Sequence, residues 1–168
     1  MNPISIQYYK SPVGEMLLGS YDNKLCLANW FDKKKSDRTN NRLKKSLDAV
    51  FVEKSSETID ETIKQLDEYF IGERQHFDIP LLMVGTVFQK SVWNALLQIP
   101  FGQTASYAEQ AKRIGNEKAI RAVANANAAN AISILIPCHR IIGSNGTLTG
   151  YAGGLEAKQA LLELEKRE

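Results

Sequence analysis

The sequence of 168 residues has only two cysteines and two histidines, the residues that form disulfides and zinc sites in small proteins. Its two cysteines, Cys26 and Cys138, lie far apart, and no basic, then apolar leader precedes the first strand pattern, so we expect a reducing compartment rather than a secreted disulfide framework. Only His76 and His139 add soft metal ligands, and the four have no spacing typical of zinc. No apolar run approaches the roughly 18 residues of a membrane span. We therefore expect a cytoplasmic protein without metal, cofactor or membrane contact.

Acidic residues become scarce in the second half of the chain, where aspartate is absent. Residues 81–168 hold nine Lys or Arg and six Glu, whereas residues 1–80 hold twelve basic and thirteen acidic residues. This mild basic bias permits phosphate binding without requiring it. Hydrophobic residues at 43% and charged residues at 24% are ordinary values for a folded protein of one or two domains.

The first third of the chain has the pattern of antiparallel strands. Runs of strand-forming residues separated by turn residues occur at 4–9, 16–19 and 25–30. This order predicts a three-stranded meander. The polar and charged stretch 33–41 that follows predicts a solvated loop.

A helical period begins after Glu57. Four apolar side chains fall on one face of a helix: Ile59, Ile63, Leu66 and Phe70. Thr58 with Glu61 forms a possible capping box at its start, and Gly72 is a stop signal at its end. The extended connector 77–84 that follows contains Pro80, and we expect the boundary there, giving domains 1–80 and 81–168.

The second half is predicted to be mostly helical. Two capping boxes begin helices: Thr86 with Gln89, and Ser106 with Glu109. Gly115 ends the second of these helices, and Asn116 is expected to cap the next one. Two helices joined by a tight turn make a helix-turn-helix candidate, although most such hairpins are packing units.

The candidate for chemistry is the Pro-Cys-His-Arg sequence at 137–140. It follows an apolar run, 132–136, that predicts a buried strand, so Cys138 can face a pocket. The neighbouring histidine and arginine would favour its thiolate. Adjacent residues of an extended chain point to opposite sides, so a direct Cys138–His139 hydrogen bond and one through water both stay open. Cys26, in an apolar strand, is expected to be the buried, inert kind of cysteine.

Several motifs occur in order along the second half: 85–89 (GTVFQ), 99–102 (IPFG), 134–143 (ILIPCHRIIG) and 150–155 (GYAGGL). Together they closely resemble the O6-alkylguanine-DNA alkyltransferases, also named methylated-DNA--protein-cysteine methyltransferases. The resemblance is strong over 85–165 and weaker upstream, through 11–14 (SPVG) and 77–81 (FDIPL).

The resemblance implies an α+β fold of two domains. The N-terminal one would be a ribonuclease-H-like α/β domain with an antiparallel sheet, and the C-terminal one mainly helical with the helix-turn-helix. It implies a DNA repair protein that transfers an alkyl group, such as methyl, from O6-alkylguanine irreversibly to its own cysteine, once per molecule. The helix-turn-helix would enter the minor groove of double-stranded DNA and flip out the damaged base. The protein would act as a monomer.

Matching the family motifs assigns the catalytic roles. By this match Cys138 is the alkyl acceptor, His139 takes its proton through a water molecule, and Glu165 orients His139. Asn130 holds the active-site turn in shape. Tyr107 pushes on the target phosphate and can donate a proton to the departing guanine.

Matching also assigns the DNA and pocket contacts. Arg121 is the finger that fills the gap left in the base stack. Four positions are implied to touch the DNA backbone: Gln89, Ala108, Asn116 and Ser144. Tyr151 lies in the loop that closes over the guanine. Ser133 stands at a pocket position where some relatives carry proline, so the resemblance does not extend to the acceptance of bulky alkyl groups or benzyl-type pseudosubstrates. The zinc ligands of some relatives have no counterpart here.

Two other functions fit parts of the same pattern. One is a binding module that recognises alkylated DNA without reacting, but alkyltransferase-like proteins of that kind lack the cysteine that this chain has. The other is a Cys-His hydrolase, which would turn over a thioester or peptide repeatedly.

Overall fold

The computed structural model describes residues 2–166. They divide into two units between Val84 and Gly85. Leu81 and Leu82 belong to the first unit because Leu81 bridges to Leu25 and the Leu82 amide donates to the Leu25 carbonyl at 2.8 Å. Within residues 2–166 no helix combines the length and the apolarity needed to cross a membrane.

The first unit is built on a four-stranded sheet. Its strands are β1 (Ile4–Ser11), β2 (Gly14–Tyr21), β3 (Lys24–Trp30) and β4 (Phe51–Glu53), in the order β3-β2-β1-β4. The predicted meander of β1, β2 and β3 is confirmed, with antiparallel pairing throughout. β4 pairs parallel to β1, so the sheet is mixed rather than wholly antiparallel. Three residues are too few to show a strand pattern in the sequence.

The predicted solvated loop at 33–41 is wrong, because helix α1 spans Lys33–Leu47. Almost all of its residues are polar. Ser36 and Leu43 are buried, but Leu43 is the only large apolar side chain before the last residue of the helix, so the sequence shows no repeating apolar face. The Ser36 amide donates to the Asp32 carbonyl at 2.8 Å, which starts the helix. Helix formation here rests on a narrow buried face.

Helix α2 (Glu57–Phe70) covers the sheet with Ile59, Leu66 and Tyr69, each at most 1% exposed. The expected cap at Thr58 is wrong: Ser56 is the N-cap, and its hydroxyl accepts from the Ile59 amide at 3.1 Å. The cap lies two residues earlier because Ser56 has extended backbone whereas Thr58 is already helical.

The second unit is mainly helical. Its elements are α3 (Val87–Leu96), β5 (Ala105–Ser106), α4 (Tyr107–Arg113), α5 (Ile120–Ala128), a 3₁₀ turn (Cys138–Arg140), β6 (Ile141–Ile142) and α6 (Leu155–Lys166). β5 pairs parallel with β6. The indole of Trp93 on α3 donates to the Ala126 carbonyl at 2.8 Å and ties α3 to α5. The expected α+β architecture is confirmed.

Both predicted capping boxes in this unit are confirmed, at Thr86 and at Ser106. The expectation that Asn116 caps α5 is wrong. Its carbonyl instead accepts from the Ala119 amide at 3.1 Å, which closes a separate turn, and α5 begins only at Ile120. The spacer between α4 and α5 therefore includes Asn116.

The predicted buried strand at 132–136 is wrong in conformation, although its residues are buried. The amide of Ile136 donates to the carbonyl of Ile132 at 3.0 Å, so the segment folds back as turns. Ile134 has a φ of 71°, which is rare for a β-branched side chain. Burial of its side chain, 1% exposed, offsets this strain and keeps the segment bent.

Candidate active site

Asn130 holds the turn before Cys138 from inside. Its side-chain amide donates to the Ile136 carbonyl at 2.9 Å and to the sulfur of Cys138 at 3.3 Å. Its oxygen accepts from the Ile132 amide at 3.0 Å. One side chain, 4% exposed, thus joins both ends of the strained segment to the thiol.

Cys138 is the first residue of the 3₁₀ turn and is 9% exposed. Burial raises the pKa of its thiol, while the hydrogen bond from Asn130 and the positive charge of Lys158 lower it in part. The sequence prediction that Arg140 favours this thiolate is wrong, since the guanidinium of Arg140 is paired elsewhere. Lys158 is the cation that favours the thiolate.

Arg140 and His139 both bind Glu165 on α6. The His139 Nε2 lies 2.7 Å from one carboxylate oxygen, and Arg140 donates to the two oxygens at 2.8 and 3.1 Å. Arg140 also donates to the Ile99 carbonyl at 2.7 Å. All three charged or ionisable side chains are buried.

This pairing sets the protonation of His139. Burial alone would raise the pKa of Glu165, but the hydrogen bonds and charges of His139 and Arg140 outweigh it and lower the pKa to about 2. Burial lowers the pKa of His139, so its ring is neutral while Glu165 is ionised. A neutral ring beside a carboxylate carries its proton on the nitrogen that faces it, Nε2.

The other ring nitrogen of His139, Nδ1, then carries a lone pair. It is buried, and no polar atom of residues 2–166 forms a hydrogen bond with it. The ring of Tyr151 meets the His139 ring edge-on, with centroids 6.4 Å apart. His139 can therefore accept a proton at Nδ1 in a site from which bulk water is excluded.

A second group of polar side chains contains Tyr107, Thr149 and Lys158. The hydroxyls of Tyr107 and Thr149 are 2.7 Å apart. The ammonium of Lys158 donates to the Thr149 carbonyl at 3.3 Å and to its hydroxyl at 3.5 Å. Lys158 is 1% exposed, and burial lowers its pKa, while the charge of the Cys138 thiolate raises it in part.

The predicted helix-turn-helix is formed by α4 and α5. The side-chain amides of Gln110 and Asn127 exchange two hydrogen bonds of 2.8 Å between these helices. The outer face of α5 is exposed at Arg121, Ala122 and Asn125. The long basic side chain of Arg121 thus lies on a face of α5 whose other exposed side chains, Ala122 and Asn125, are small or uncharged.

The four residues expected at the DNA backbone are at the surface or close to it. Ala108, Asn116 and Ser144 are exposed. Gln89 is half-buried, and its side-chain oxygen Oε1 accepts from the Thr86 amide at 3.0 Å as part of the cap of α3. Only its side-chain NH2 group stays available for a further contact.

Ser133, expected in the substrate pocket, is 0% exposed. Its hydroxyl forms no hydrogen bond within residues 2–166. Ser133 lies next to Ile134 in the bent segment before Cys138, and its side chain is not exposed at the surface of a pocket.

Sequence reasoning missed the roles of Arg140, Lys158 and Thr149. Arg140 and Lys158 stand within the motifs already noted, but nothing local shows that one faces Glu165 and the other Cys138. Burial of a lysine is rare unless its charge is compensated, and that can be seen only in the fold. Within residues 2–166, no three His, Cys, Asp or Glu side chains are grouped as metal ligands would be.

Two family models match the chain in succession. The first, described as the 6-O-methylguanine DNA methyltransferase ribonuclease-like domain, covers residues 4–83. The second, the 6-O-methylguanine DNA methyltransferase DNA binding domain, covers residues 87–167. Their limits agree with the two units of the structure.

Full-length relatives match almost the whole chain. A methylated-DNA--protein-cysteine methyltransferase of Methanosarcina acetivorans is 48% identical over 157 residues, covering 94% of this chain and 95% of the relative. The constitutive enzyme of that name from Bacillus subtilis is 38% identical over 170 residues, covering 96% of each.

Solved structures match as well. The Mycobacterium tuberculosis O6-methylguanine methyltransferase has a TM-score of 0.79 at 38% identity, covering 97% of this chain and 93% of that one. The structure of the same organism's OGT in complex with DNA has a TM-score of 0.82 at 40% identity, covering 96% and 92%. Agreement in both domains, in order and over nearly the full length, shows that this chain belongs to the methylated-DNA--protein-cysteine methyltransferase family.

Proposed function

We propose that this chain repairs DNA by transferring an alkyl group from O6 of guanine to the sulfur of Cys138. The observation that carries the proposal is the arrangement of His139, which is neutral, bonded to an ionised Glu165, and next in the chain to a buried thiol that accepts a hydrogen bond from Asn130. A base, its orienting group and a nucleophile are the parts that sulfur alkylation needs.

The first step is removal of the thiol proton. Sγ of Cys138 loses its proton to Nδ1 of His139 through one bridging water molecule. Glu165 stabilises the imidazolium that forms, and Lys158 and Asn130 stabilise the thiolate. Because burial opposes the thiolate, these groups decide how much of it is present.

The second step is in-line displacement. A bond forms between Sγ and the alkyl carbon while the bond from that carbon to O6 breaks, and its electron pair stays on the guanine. Tyr107 donates a proton that neutralises the departing base. The product is a thioether, which is chemically stable, so each molecule reacts once.

The substrate is double-stranded DNA that carries O6-alkylguanine. The unit that begins at Gly85 supplies both DNA binding and the acceptor, while the unit that ends at Val84 forms the ribonuclease-H-like domain. O6 lies within the duplex, so the base must be rotated out, at a cost of a few kcal/mol. Arg121, exposed on α5, fills the vacated position in the stack. The small side chain of Ala122 beside it allows close approach to the minor groove.

The remaining contacts follow from this placement. Ala108, Asn116, Ser144 and the side-chain NH2 group of Gln89 lie at the DNA backbone. Tyr151, whose ring meets His139, closes over the guanine. One molecule supplies every named group, and we therefore propose that the protein acts as a monomer. We also propose that it acts in the cytoplasm.

Mass spectrometry tests the proposal directly. The protein is incubated with a duplex oligonucleotide that carries one O6-methylguanine, and intact and peptide masses are measured. We expect one added CH2 unit on the peptide that contains Cys138, reaching one equivalent and no more. Binding without a mass change would indicate a recognition module, and repeated turnover without a modified cysteine would indicate a hydrolase.

A further inference from the structure

Two side-chain amides join the helix that carries Tyr107 to the helix that leads to the thiol. The amide nitrogen of Gln110 on α4 donates to the side-chain oxygen of Asn127 on α5 at 2.8 Å, and the Asn127 nitrogen donates back to the Gln110 oxygen at 2.8 Å. Gln110 is 1% exposed. Each amide supplies the donor and the acceptor that the other one needs, so the two hydrogen bonds favour a single relative orientation of the helices.

Each amide lies one helical turn from a residue of the site. Tyr107 is the first residue of α4, three positions before Gln110, and residues three apart in a helix lie on one face. On the other side, the backbone amide of Asn130 donates to the Asn127 carbonyl at 3.2 Å. Asn130 in turn donates to the sulfur of Cys138 at 3.3 Å. The amide pair thus lies on a continuous connection between Tyr107 and the thiol.

A second connection between Tyr107 and the segment of Cys138 is short. Ser106, next to Tyr107, pairs with Ile142 in the ladder of β5 and β6, which has two residues in each strand. Such a ladder fixes where α4 begins but gives little resistance to rotation of the helix about that point. The amide pair attaches α4 at a second point, one turn further along. Two points of attachment fix both the position and the direction of α4.

Helix α5 does not depend on the amide pair for its own placement. The indole of Trp93 on α3 donates to the Ala126 carbonyl at 2.8 Å. Val123 and Ala126 of α5 are at most 2% exposed, so this side of the helix is packed in the core. α5 is therefore the fixed side of the amide contact, and α4 is the side that the contact holds in place.

We propose that Gln110 and Asn127 are positioning residues that set the distance and the angle between the Tyr107 hydroxyl and the Cys138 sulfur during alkyl transfer. The inference rests on the proposed function of Tyr107 and Cys138. In-line displacement needs the sulfur on one side of the alkyl carbon and the proton donor at the departing base on the other side. An error of about 1 Å in such a placement can slow a reaction about 10²-fold.

The test measures three quantities for each variant. They are the limiting rate constant of methyl transfer from a saturating O6-methylguanine duplex, the duplex concentration that gives half of this rate, and the rate constant for alkylation of Cys138 by iodoacetamide. The iodoacetamide reaction needs the thiol but neither Tyr107 nor DNA. The ratio of the two rate constants therefore removes any change in the thiolate population. Peptide mass spectrometry at Cys138 follows both reactions.

Gln110→Met keeps an unbranched side chain of similar length and removes both hydrogen bonds. We expect the ratio to fall about tenfold. The half-saturating duplex concentration should stay close to that of the wild type, because α5, which carries Arg121, keeps its attachment to α3. A ratio equal to that of the wild type overturns the proposal, and so does a raised half-saturating concentration with an unchanged limiting rate.

The matched control is Gln98→Met, which removes the amide of an exposed glutamine just after α3. It should leave all three quantities unchanged. A fall in the ratio as large as that of Gln110→Met would show that loss of any glutamine amide in this unit has the same effect, and would contradict the proposal.

An exchanged pair separates the amide contact from the packing of the side chains. Gln110→Asn combined with Asn127→Gln keeps both amides and the total number of methylene groups between the helices. We expect this double variant to recover most of the ratio lost in Gln110→Met. A ratio as low as that of Gln110→Met would show that local packing, and not the amide pair, places α4. If Gln110→Met does not fold, Asn127→Asp takes its place, because it keeps the side-chain shape and brings two oxygens together at one of the two hydrogen bonds.

A double-mutant cycle tests whether the amides act through Tyr107. In Tyr107→Phe the hydroxyl that has to be positioned is gone, so the further change Gln110→Met should alter the ratio little. A defect that acts elsewhere in the protein would lower the ratio about tenfold in both backgrounds. That result overturns the proposal even if Gln110→Met alone behaves as expected.

Failure of the proposed function gives a different result. A wild-type protein that reacts with iodoacetamide at Cys138 but takes no methyl group from the duplex overturns the alkyl transfer itself, and the positioning role with it. A wild-type protein that takes the methyl group, with amide variants that keep the wild-type ratio, overturns only the positioning role.

Discussion

Cys26 and Cys138 are both buried thiols without a disulfide partner, and they differ in the groups around them. In β3, burial raises the pKa of Cys26 to about 12, and a backbone hydrogen bond lowers it only in part. At the 3₁₀ turn, burial likewise raises the pKa of Cys138, but the Asn130 amide and the Lys158 charge oppose it. The comparison teaches that burial shields the thiol from solvent in both places, and that side-chain groups that favour a thiolate act on only one of them, Cys138.

The largest effect is expected from removing the acceptor. Cys138→Ser should abolish methyl transfer while DNA binding is kept, because the sulfur is the only atom lost from the site. Cys26→Ser is the matched control and should transfer methyl at the wild-type rate. Peptide mass spectrometry with a gel-shift assay checks both. Transfer by Cys138→Ser, or a methyl group on Cys26, would contradict the comparison.

Glu165→Gln is expected to have the next largest effect. It removes the charge that orients His139 and leaves the buried Arg140 guanidinium unpaired. We expect methyl transfer to slow about 10²-fold and the free energy of unfolding to fall by about 3 kcal/mol.

The control for Glu165→Gln is Glu163→Gln, on the exposed side of the same helix. It should leave both quantities unchanged. Single-turnover rates and urea unfolding provide the two measurements. Equal effects of the two substitutions would show that the carboxylate of Glu165 has no special role beside the thiol.

Acid should destabilise the second unit through the same carboxylate. The pKa of Glu165 is lowered from 4.5 to about 2, so its contribution to stability is complete above pH 4.5 and is lost as the pH falls toward 2. The loss expected over that window is about 3 kcal/mol. Urea unfolding at a series of pH values measures it. Glu165→Gln should lack this part of the pH dependence, and a variant that keeps it would contradict the assignment.

The smallest effect on methyl transfer is expected from a residue that contacts the DNA and does not touch the thiol. Arg121→Ala should slow repair of duplex DNA by about tenfold, since flipping a base costs a few kcal/mol that the side chain helps to offset. Reaction with free O6-methylguanine base should be unchanged, because no stacked base has to be displaced. Rates on the two substrates are compared directly. Equal losses on both would exclude the finger role.

Much of the second unit could be predicted from local patterns. The boxes at Thr86 and Ser106 form as expected because each depends on residues three apart. Asn116 and Thr58 have the same chemistry but do not cap, because the Asn116 carbonyl closes a separate turn and Thr58 already lies within α2. The three-stranded meander was predictable for a similar reason, since its strands follow one another through tight turns.

Other parts could not be predicted because their cause is distant. Helix α1 is stabilised by a few buried contacts and has no apolar period. The segment 132–136 has the composition of a strand, but Asn130 and the surrounding core bend it. Its apolar character predicted burial correctly and gave no information on backbone direction.

The sequence by itself determined the family, the two-domain α+β fold and Cys138, His139 and Glu165 as candidates, because ordered motifs carry that information along the chain. Only the tertiary structure decided which charges meet. Glu165 reaches His139 across 26 positions, and Arg140 turns to Glu165 rather than to the thiol. Lys158 and Thr149 join Tyr107 from a helix and a loop that are distant in the chain. Such contacts depend on how separate elements pack, which no local pattern of residue types records.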